Sequence, residues 1–315
     1  MTVDLNFLHD ADPEQARGFF AETDAEELVA AVRATSDEAL LALIGRDEIR
    51  PAAVAGVMAR LPEYALPERL AALRGVVRVD LQRRGALLER HALVFGDGAM
   101  LLRSGADADG PADVVLTTSV LRFIRFVSGE RNAGLEYLAG KLDIEGDTAL
   151  ALAVGGIFRV PGTDRVAMDP TQLDPVDVAR VLEGVPTAHL RKVMASGFRS
   201  VVLGEIFRRL PEYVDADKAR DERLTIGFRL LGNPSGEIER YVVHVRDGAA
   251  TVVTGGADDG GERDATVTCE AHDYLRLATG HLSPVLGVLK GQLKVKGDKA
   301  KALRLSSVID IPSAP

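Results

Sequence analysis

The side chains able to do chemistry in this 315-residue chain are few, and their spacing is not that of a catalytic centre. Six histidines, His9, His91, His189, His244, His272 and His281, show no metal-ligand spacing within one helix. His272 and His281 flank one predicted helix and are the pair best placed to meet in space. Cys269 is the single cysteine, which leaves no internal disulfide and no multi-thiolate metal site. It ends a predicted strand with no base beside it in sequence, a poor setting for a nucleophile. No Gly-x-Ser-x-Gly elbow, Walker loop, Gly-x-Gly-x-x-Gly turn or His-Glu-x-x-His helix occurs. The expectation is a protein that is not an enzyme, with no catalytic residue, no metal and no cofactor. Charge is the remaining resource. Lys290, Lys294, Lys296, Lys299, Lys301 and Arg304 crowd one segment, a pattern suited to an anionic membrane surface or an acyl-CoA head group, and equally to a solvated polar face. Arg122 and Arg125 form a smaller candidate for holding a carboxylate.

The elements that must position these residues occur twice. Arg60-Leu61-Pro62-Glu63-Tyr64 returns 149 residues later as Arg209-Leu210-Pro211-Glu212-Tyr213. The run from Gly140 through Leu142, Ile144, Gly146 and Asp147 returns 151 residues later as Gly291, Leu293, Val295, Gly297 and Asp298. Two matches in the same order at nearly one offset mark a duplicated domain rather than a solenoid. The organisation expected is a first module over 1–160, a linker over 161–174 and a second module over 175–315. The linker is read from Pro161-Gly162, Asp169-Pro170 and Asp174-Pro175, all turn or helix-start pairs.

Each module opens with a helical lead of about 50 residues. In the first, Thr23 to Glu26 has the form of a capping box, and a second helix is expected over Ala52 to Leu61. In the second, Pro175 and Asp177 suit a helix start, and Val201, Val202, Phe207 and Leu210 share one apolar face. Strands follow. Leu224, Ile226, Phe228 and Leu230 alternate with Thr225, Gly227 and Arg229, the period of a half-buried strand. Further strands are expected at Tyr241–Val245, after the Asp247-Gly248 turn at Ala250–Thr254, and at Ala265–Cys269. In the first half the corresponding runs are Val76–Leu81, Leu87–Phe95, Gly98–Arg103 and Asp113–Thr117. Short turns predict largely antiparallel sheets.

The last stretch is the most specific. Ala271 to Gly280 reads as a short helix stopped by Thr279-Gly280. An apolar turn follows, then a strand in which Leu293 and Val295 face one side and Lys294 and Lys296 the other. Gly297-Asp298 leads into an alanine-rich helix, with Asp298 as its cap. This run and the strands before it resemble the sterol carrier protein type two family, the nonspecific lipid-transfer proteins, over about Leu224 to Leu305. The first half resembles it over about Val76 to Val154, with Val127-Ser128-Gly129 in place of the Thr-Gly stop.

The resemblance implies an α+β fold of two tandem modules, each a roughly five-stranded, mostly antiparallel sheet with helices on one face. It implies an apolar tunnel between sheet and helices for a sterol, fatty acid or fatty acyl-CoA. The ligand-contact residues expected are Tyr274, Leu277, Leu282, Val285, Leu286, Leu289, Leu293 and Val295 in the second module. In the first they are Phe123, Phe126, Val127, Tyr137, Leu138, Leu142 and Ile144, among Leu121, Ile124 and Leu135. The same side chains also suit an ordinary core. The first set has more aromatic bulk and could leave no room for ligand. Binding needs no activated group, since each buried methylene contributes about 0.8 kcal/mol and a long acyl chain roughly 10 kcal/mol before association costs. The partners expected are a lipid or sterol, an anionic membrane or acyl-CoA at Lys290, Lys294 and Lys296, and a lipid-metabolising enzyme. The alternative is a scaffold or accessory subunit that kept the fold and lost the cavity.

Composition agrees with this class. A net charge of −9 and a pI near 5.3 argue against general nucleic-acid binding. The start MTVDLNFLHDADPEQ has no secretory pattern, no run of about 18 apolar residues occurs, and Ser313-Ala314-Pro315 is not a peroxisomal address. The expectation is a soluble, cytoplasmic protein, of bacterial origin by its alanine and arginine usage.

Overall fold

Short acidic caps cut the first lead into helices. Asp12 accepts hydrogen bonds from Glu14 N and Gln15 N, and the Gln15 side chain accepts from Asp12 N, so a full capping box opens Pro13–Glu22 (α1). Ala25–Ala34 (α2) is capped by Asp24, whose carboxylate accepts from Glu26 N and Glu27 N. The box expected at Thr23 does not form. Thr23 instead ends α1, its N–H bonded to Phe19 O, and only Asp24 is left between the two helices. Asp37–Ile44 (α3), Arg50–Ala59 (α4) and Pro67–Ala72 (α5) follow. The computed structural model describes residues 4–163, 165–168, 173–255 and 262–310. Among them, no helix is long and apolar enough to cross a membrane.

Two units result, Met1–Asp169 and Pro170–Pro315. The first contains strands Gly75–Arg83 (β1), Ala86–Gly96 (β2), Ala99–Ser104 (β3) and Val114–Ser119 (β4). Helices Val120–Val127 (α6) and Ala133–Leu138 (α7), strand Asp143–Gly146 (β5) and helix Thr148–Ile157 (α8) complete it. The second repeats the plan. Its lead is Pro175–Leu182 (α9), Thr187–Met194 (α10), Phe198–Arg209 (α11) and Ala216–Ala219 (α12). Strands Arg223–Leu231 (β6), Glu239–Arg246 (β7), Ala249–Thr254 (β8) and Ala265–Glu270 (β9) precede Ala271–Ala278 (α13) and Pro284–Leu289 (α14). Leu293–Gly297 (β10) and Lys299–Val308 (α15) close the module.

The sheets run β3-β2-β1-β4-β5 and β8-β7-β6-β9-β10. Neighbours are antiparallel except the middle pairs, β1 with β4 and β6 with β9, which are parallel because the chain crosses the sheet before its fourth strand. The expected class, α+β with two five-stranded, mostly antiparallel modules, is the one found. Register puts Phe228 beside Tyr241 and Val267, and Val267 beside Val295, so one face of the second sheet is apolar. Lys294 and Lys296 lie on the other.

Each module is clasped shut by the repeated Arg-Leu-Pro-Glu-Tyr segment. Leu66 N bonds Ile157 O and Arg159 N bonds Tyr64 O, both at 2.8 Å; Asp215 N bonds Val308 O and Asp310 N bonds Tyr213 O, again at 2.8 Å. The described part of the stretch expected as a linker packs on α8: Arg159 bridges Val166, and Met168 N bonds Gly155 O at 3.1 Å. Residues 164 and 169–172 of that stretch, with the Asp169-Pro170 pair, lie outside the described residues, as does Ser313-Ala314-Pro315.

Candidate functional site

The apolar face of the second sheet is roofed by two short helices, and local chemistry explains why they are short. α13 ends where Thr279 turns its hydroxyl onto Leu275 O at 2.8 Å and Gly280 takes φ +78°, open to glycine at little cost. His281 N and Leu282 N then both bond Arg276 O, which tightens the corner into α14. α14 lies close on β10: a Cβ at Gly287 would sit 2.8 Å from Leu293. Gly297 has φ +96°, and a Cβ there would sit 2.5 Å from Asp264 O. Asp298 then caps α15 through Ala300 N and Lys301 N. The Gly-x-Leu-x-Val-x-Gly-Asp run is therefore a structural hinge between the edge strand and the last helix.

Beneath the roof the predicted residues divide. Tyr274, Leu282 and Leu293 are buried, and Leu277 and Val295 are half-buried. Tyr274 stacks on Phe207 of α11, ring centroids 4.8 Å apart, and Phe207 stacks on Tyr241 at 3.6 Å with Phe228 at its edge. Phe207, Phe228 and Tyr241 come from three distant elements, so sequence reading did not group them; this stack fills the α13 end. Val285, Leu286 and Leu289 are exposed instead. Since Gly287 touches Leu293, positions 285 and 289 lie about 160° round α14 and point away from the sheet. In the first module Phe123, Tyr137, Leu138, Leu142 and Ile144 are buried, and Phe126 and Val127 are half-buried. Ser128 and Gly129 replace the Thr-Gly stop in kind, with Ser128 Oγ on Arg125 O and Gly129 at φ +78°.

The same two stretches that fold alike also match one family model, described as the SCP-2 sterol transfer family, over residues 56–159 and 206–310. The chain belongs to that family. Its relatives include human sterol carrier protein 2, 27% identical over 128 residues, which is 40% of this chain and 22% of the relative. Sterol carrier protein 2 of Arabidopsis thaliana is 28% identical over 95 residues, 29% of this chain and 75% of its own. Hydroxysteroid dehydrogenase-like protein 2 of Xenopus tropicalis is 25% identical over 118 residues, 38% of this chain and 27% of the relative. The chain thus spans about a quarter of the length of several curated relatives. Among solved structures, apo sterol carrier protein 2 of Yarrowia lipolytica matches at 24% identity and TM-score 0.29, covering 36% of this chain and 94% of its own. A sec-alkylsulfatase from Pseudomonas sp. matches at 15% identity and TM-score 0.31, covering 51% of this chain and 27% of its own.

The buried charged groups of the two units hold structure together. Arg50, buried in α4, donates from Nε to Glu89 at 2.8 Å; Arg199, its counterpart in α11, donates from Nε to Glu239 at 2.7 Å and from Nη1 to Met194 O. Each pair ties a lead helix to the first hairpin of its sheet. The 149-residue offset, applied to Arg50, was the signal that could have found them. Arg125 is buried and bonded to Asp37, Glu130, Val32 O and Thr35 O, so it clamps α2 and α3 to α6. Arg122 pairs with Glu136 at 3.2 Å. Buried Cys269 has its thiol pushed up to about 12 by desolvation, with the Asp273 and Glu270 carboxylates adding to it. His272 is held below its usual range by burial, and Arg191 donates to its Nε2 at 3.4 Å. His281 does not join it; its Nε2 meets Ala179 O at 2.7 Å. Among the described residues no cluster of three or more His, Cys, Asp or Glu could hold a metal ion. A cleft of about 450 Å³ between α1 and α4, floored by Phe20, Ala52 and Gly56, belongs to the lead and includes no roof residue.

Proposed function

We propose that the chain binds and carries an apolar ligand, a sterol, fatty acid or fatty acyl-CoA, without catalysis, and that its second module does the exchanging. The observation that carries this reading is a pair of SCP-2 modules in which the roof helix of the second is far more exposed than that of the first. Leu289 of α14 is 76% exposed, whereas its counterpart Leu138 of α7 is 1% exposed. α14 buries only Gly287 of its six residues whereas α7 buries four, so α14 has fewer core contacts to lose on lifting. The ligand would lie between the sheet and the roof, against Leu277, Leu282, Leu293 and Val295. Tyr274 and its aromatic stack would close one end. In the first module Phe123, Tyr137, Leu138, Leu142 and Ile144 are buried, and that module keeps the fold without taking ligand. The shielded Cys269 thiol offers nothing to a covalent reaction, so transfer is driven by the hydrophobic effect alone.

Native mass spectrometry of the gently purified full chain tests this. The expected result is one co-purified lipid, or uptake of one added fatty acid, per chain. A clean apo mass that takes up neither fatty acid nor sterol would overturn the carrier reading and leave a scaffold.

A further inference from the structure

We infer that His281 is a latch: its hydrogen bond to α9 holds the corner between α13 and α14 shut, and its release sets how often the roof opens. The inference takes its purpose from the carrier reading, but its first test needs no cargo. The bond has a specific acceptor. α9 ends in a tight turn, with Glu183 N on Arg180 O at 3.3 Å, so the regular helical donor to Ala179 O is turned away. His281, 102 residues further on, supplies the missing donor from Nε2 at 2.7 Å. A carbonyl oxygen can only accept, so the ring carries a proton on Nε2. The other end of α14 is tied down within the roof and its strand. Gln292 N bonds Gly287 O at 2.9 Å, and Gln292 Nε2 donates to Asp273 of α13 at 2.7 Å. That end is the pivot, and the His281 corner is the end that swings.

The duplicate module is fastened differently. At the 151-residue offset Glu130 stands in place of His281 and Arg125 in place of Arg276. Arg125 donates to Asp37, Val32 O and Thr35 O of its lead and to Glu130, and Arg33 of α2 donates from Nε to Ser128 O at 2.8 Å. Arg276 turns instead to His281 O at 3.3 Å, inside the corner itself, and leaves the hydrogen-bonded tie to α9 to the histidine. Hydrogen bonds from or to charged groups are roughly twice as strong as neutral ones, so the first corner is riveted where the second is latched.

Amide hydrogen exchange of the full, ligand-free chain tests the latch. Losing one hydrogen bond of ordinary strength should speed exchange over α14 about fivefold in His281→Phe, with β6 and the first module unchanged. His281→Gln should restore the slow rate, because its amide can donate from nearly the same place. Unchanged exchange over α14 in His281→Phe, an equal rise across β6, or His281→Gln exchanging as fast as His281→Phe would each overturn the proposal. Stopped-flow mixing with a fluorescent fatty acid is run in parallel. A latch limits entry and exit alike, so both rates should rise about fivefold in His281→Phe at constant affinity. Faster release with affinity weakened in proportion would place His281 against the ligand and also overturn the latch. A native chain that takes up no fatty acid sinks the carrier reading alone, and the hydrogen-exchange result still decides the latch. Normal uptake by a chain whose α14 exchange ignores His281 sinks the latch alone.

Discussion

At the end of β9, Cys269 is packed beneath α13, where lost hydration pushes its thiol up to about 12 against an ordinary value near 8.5. A thiol held neutral is neither nucleophile nor metal ligand. We expect a disulfide reagent at pH 8 to leave the native chain untouched and to label one thiol per chain after denaturation; rapid labelling of the native protein would contradict this burial. The folded-state value is raised, so the contribution of this group to stability is complete below about pH 8.5 and fades as pH climbs toward 12. The buried arginines act differently. Arg50→Met or Arg199→Met should each destabilise its module by about 2–3 kcal/mol in urea melts, less than for a fully buried pair because Glu89 and Glu239 keep partial contact with water. Arg125→Met should do the same to the first module through the loss of α2 and α3.

Between residue and molecule, the hinge from edge strand to last helix decides whether a module closes. Gly297→Ala should cost about 2–4 kcal/mol, since the new Cβ meets Asp264 O in a left-handed conformation. Asp298→Ala should cost only about 1 kcal/mol, the worth of a helix cap. Comparable losses for the two would show that the cap, rather than the close approach, governs the hinge. This element was fully legible in sequence, because glycine and aspartate at fixed offsets have few other uses. The strands of the second sheet were legible too, since a sheet buried on one face alternates. The parallel pairing of β6 with β9 was not, for alternation is identical in either direction. The lead was seen only in part: α1 and α3 are short and capped by aspartate or serine that also reads as loop. At the site, apolar residues at helical spacing could not declare which side of α14 faces water, so Val285, Leu286 and Leu289 read like Leu282 and Leu293. Arg50 and Arg199 carry no local signal in the sequence, because their carboxylates lie 39 and 40 residues away.

Duplication gives a molecule two copies of one scaffold, and the copies need not keep one task. The first copy carries a longer helical lead, a buried roof and acidic residues on its edge strand; the second carries an exposed roof and lysines in the same register. If the second copy alone takes cargo, ligand must stabilise the two units unequally. A ligand bound only to the native state adds about 2.7 kcal/mol at a hundredfold excess over its dissociation constant. Scanning calorimetry of the full chain should therefore resolve two transitions, only one of which rises with added fatty acid. Gly297→Ala identifies that transition, because it lowers the melting of the second unit while leaving the first in place. The ligand-sensitive transition and the one lowered by Gly297→Ala should coincide. Were the ligand to raise the other transition, or both equally, the exchange would belong to the first module or to the pair, and the exposed roof of α14 would need a different purpose.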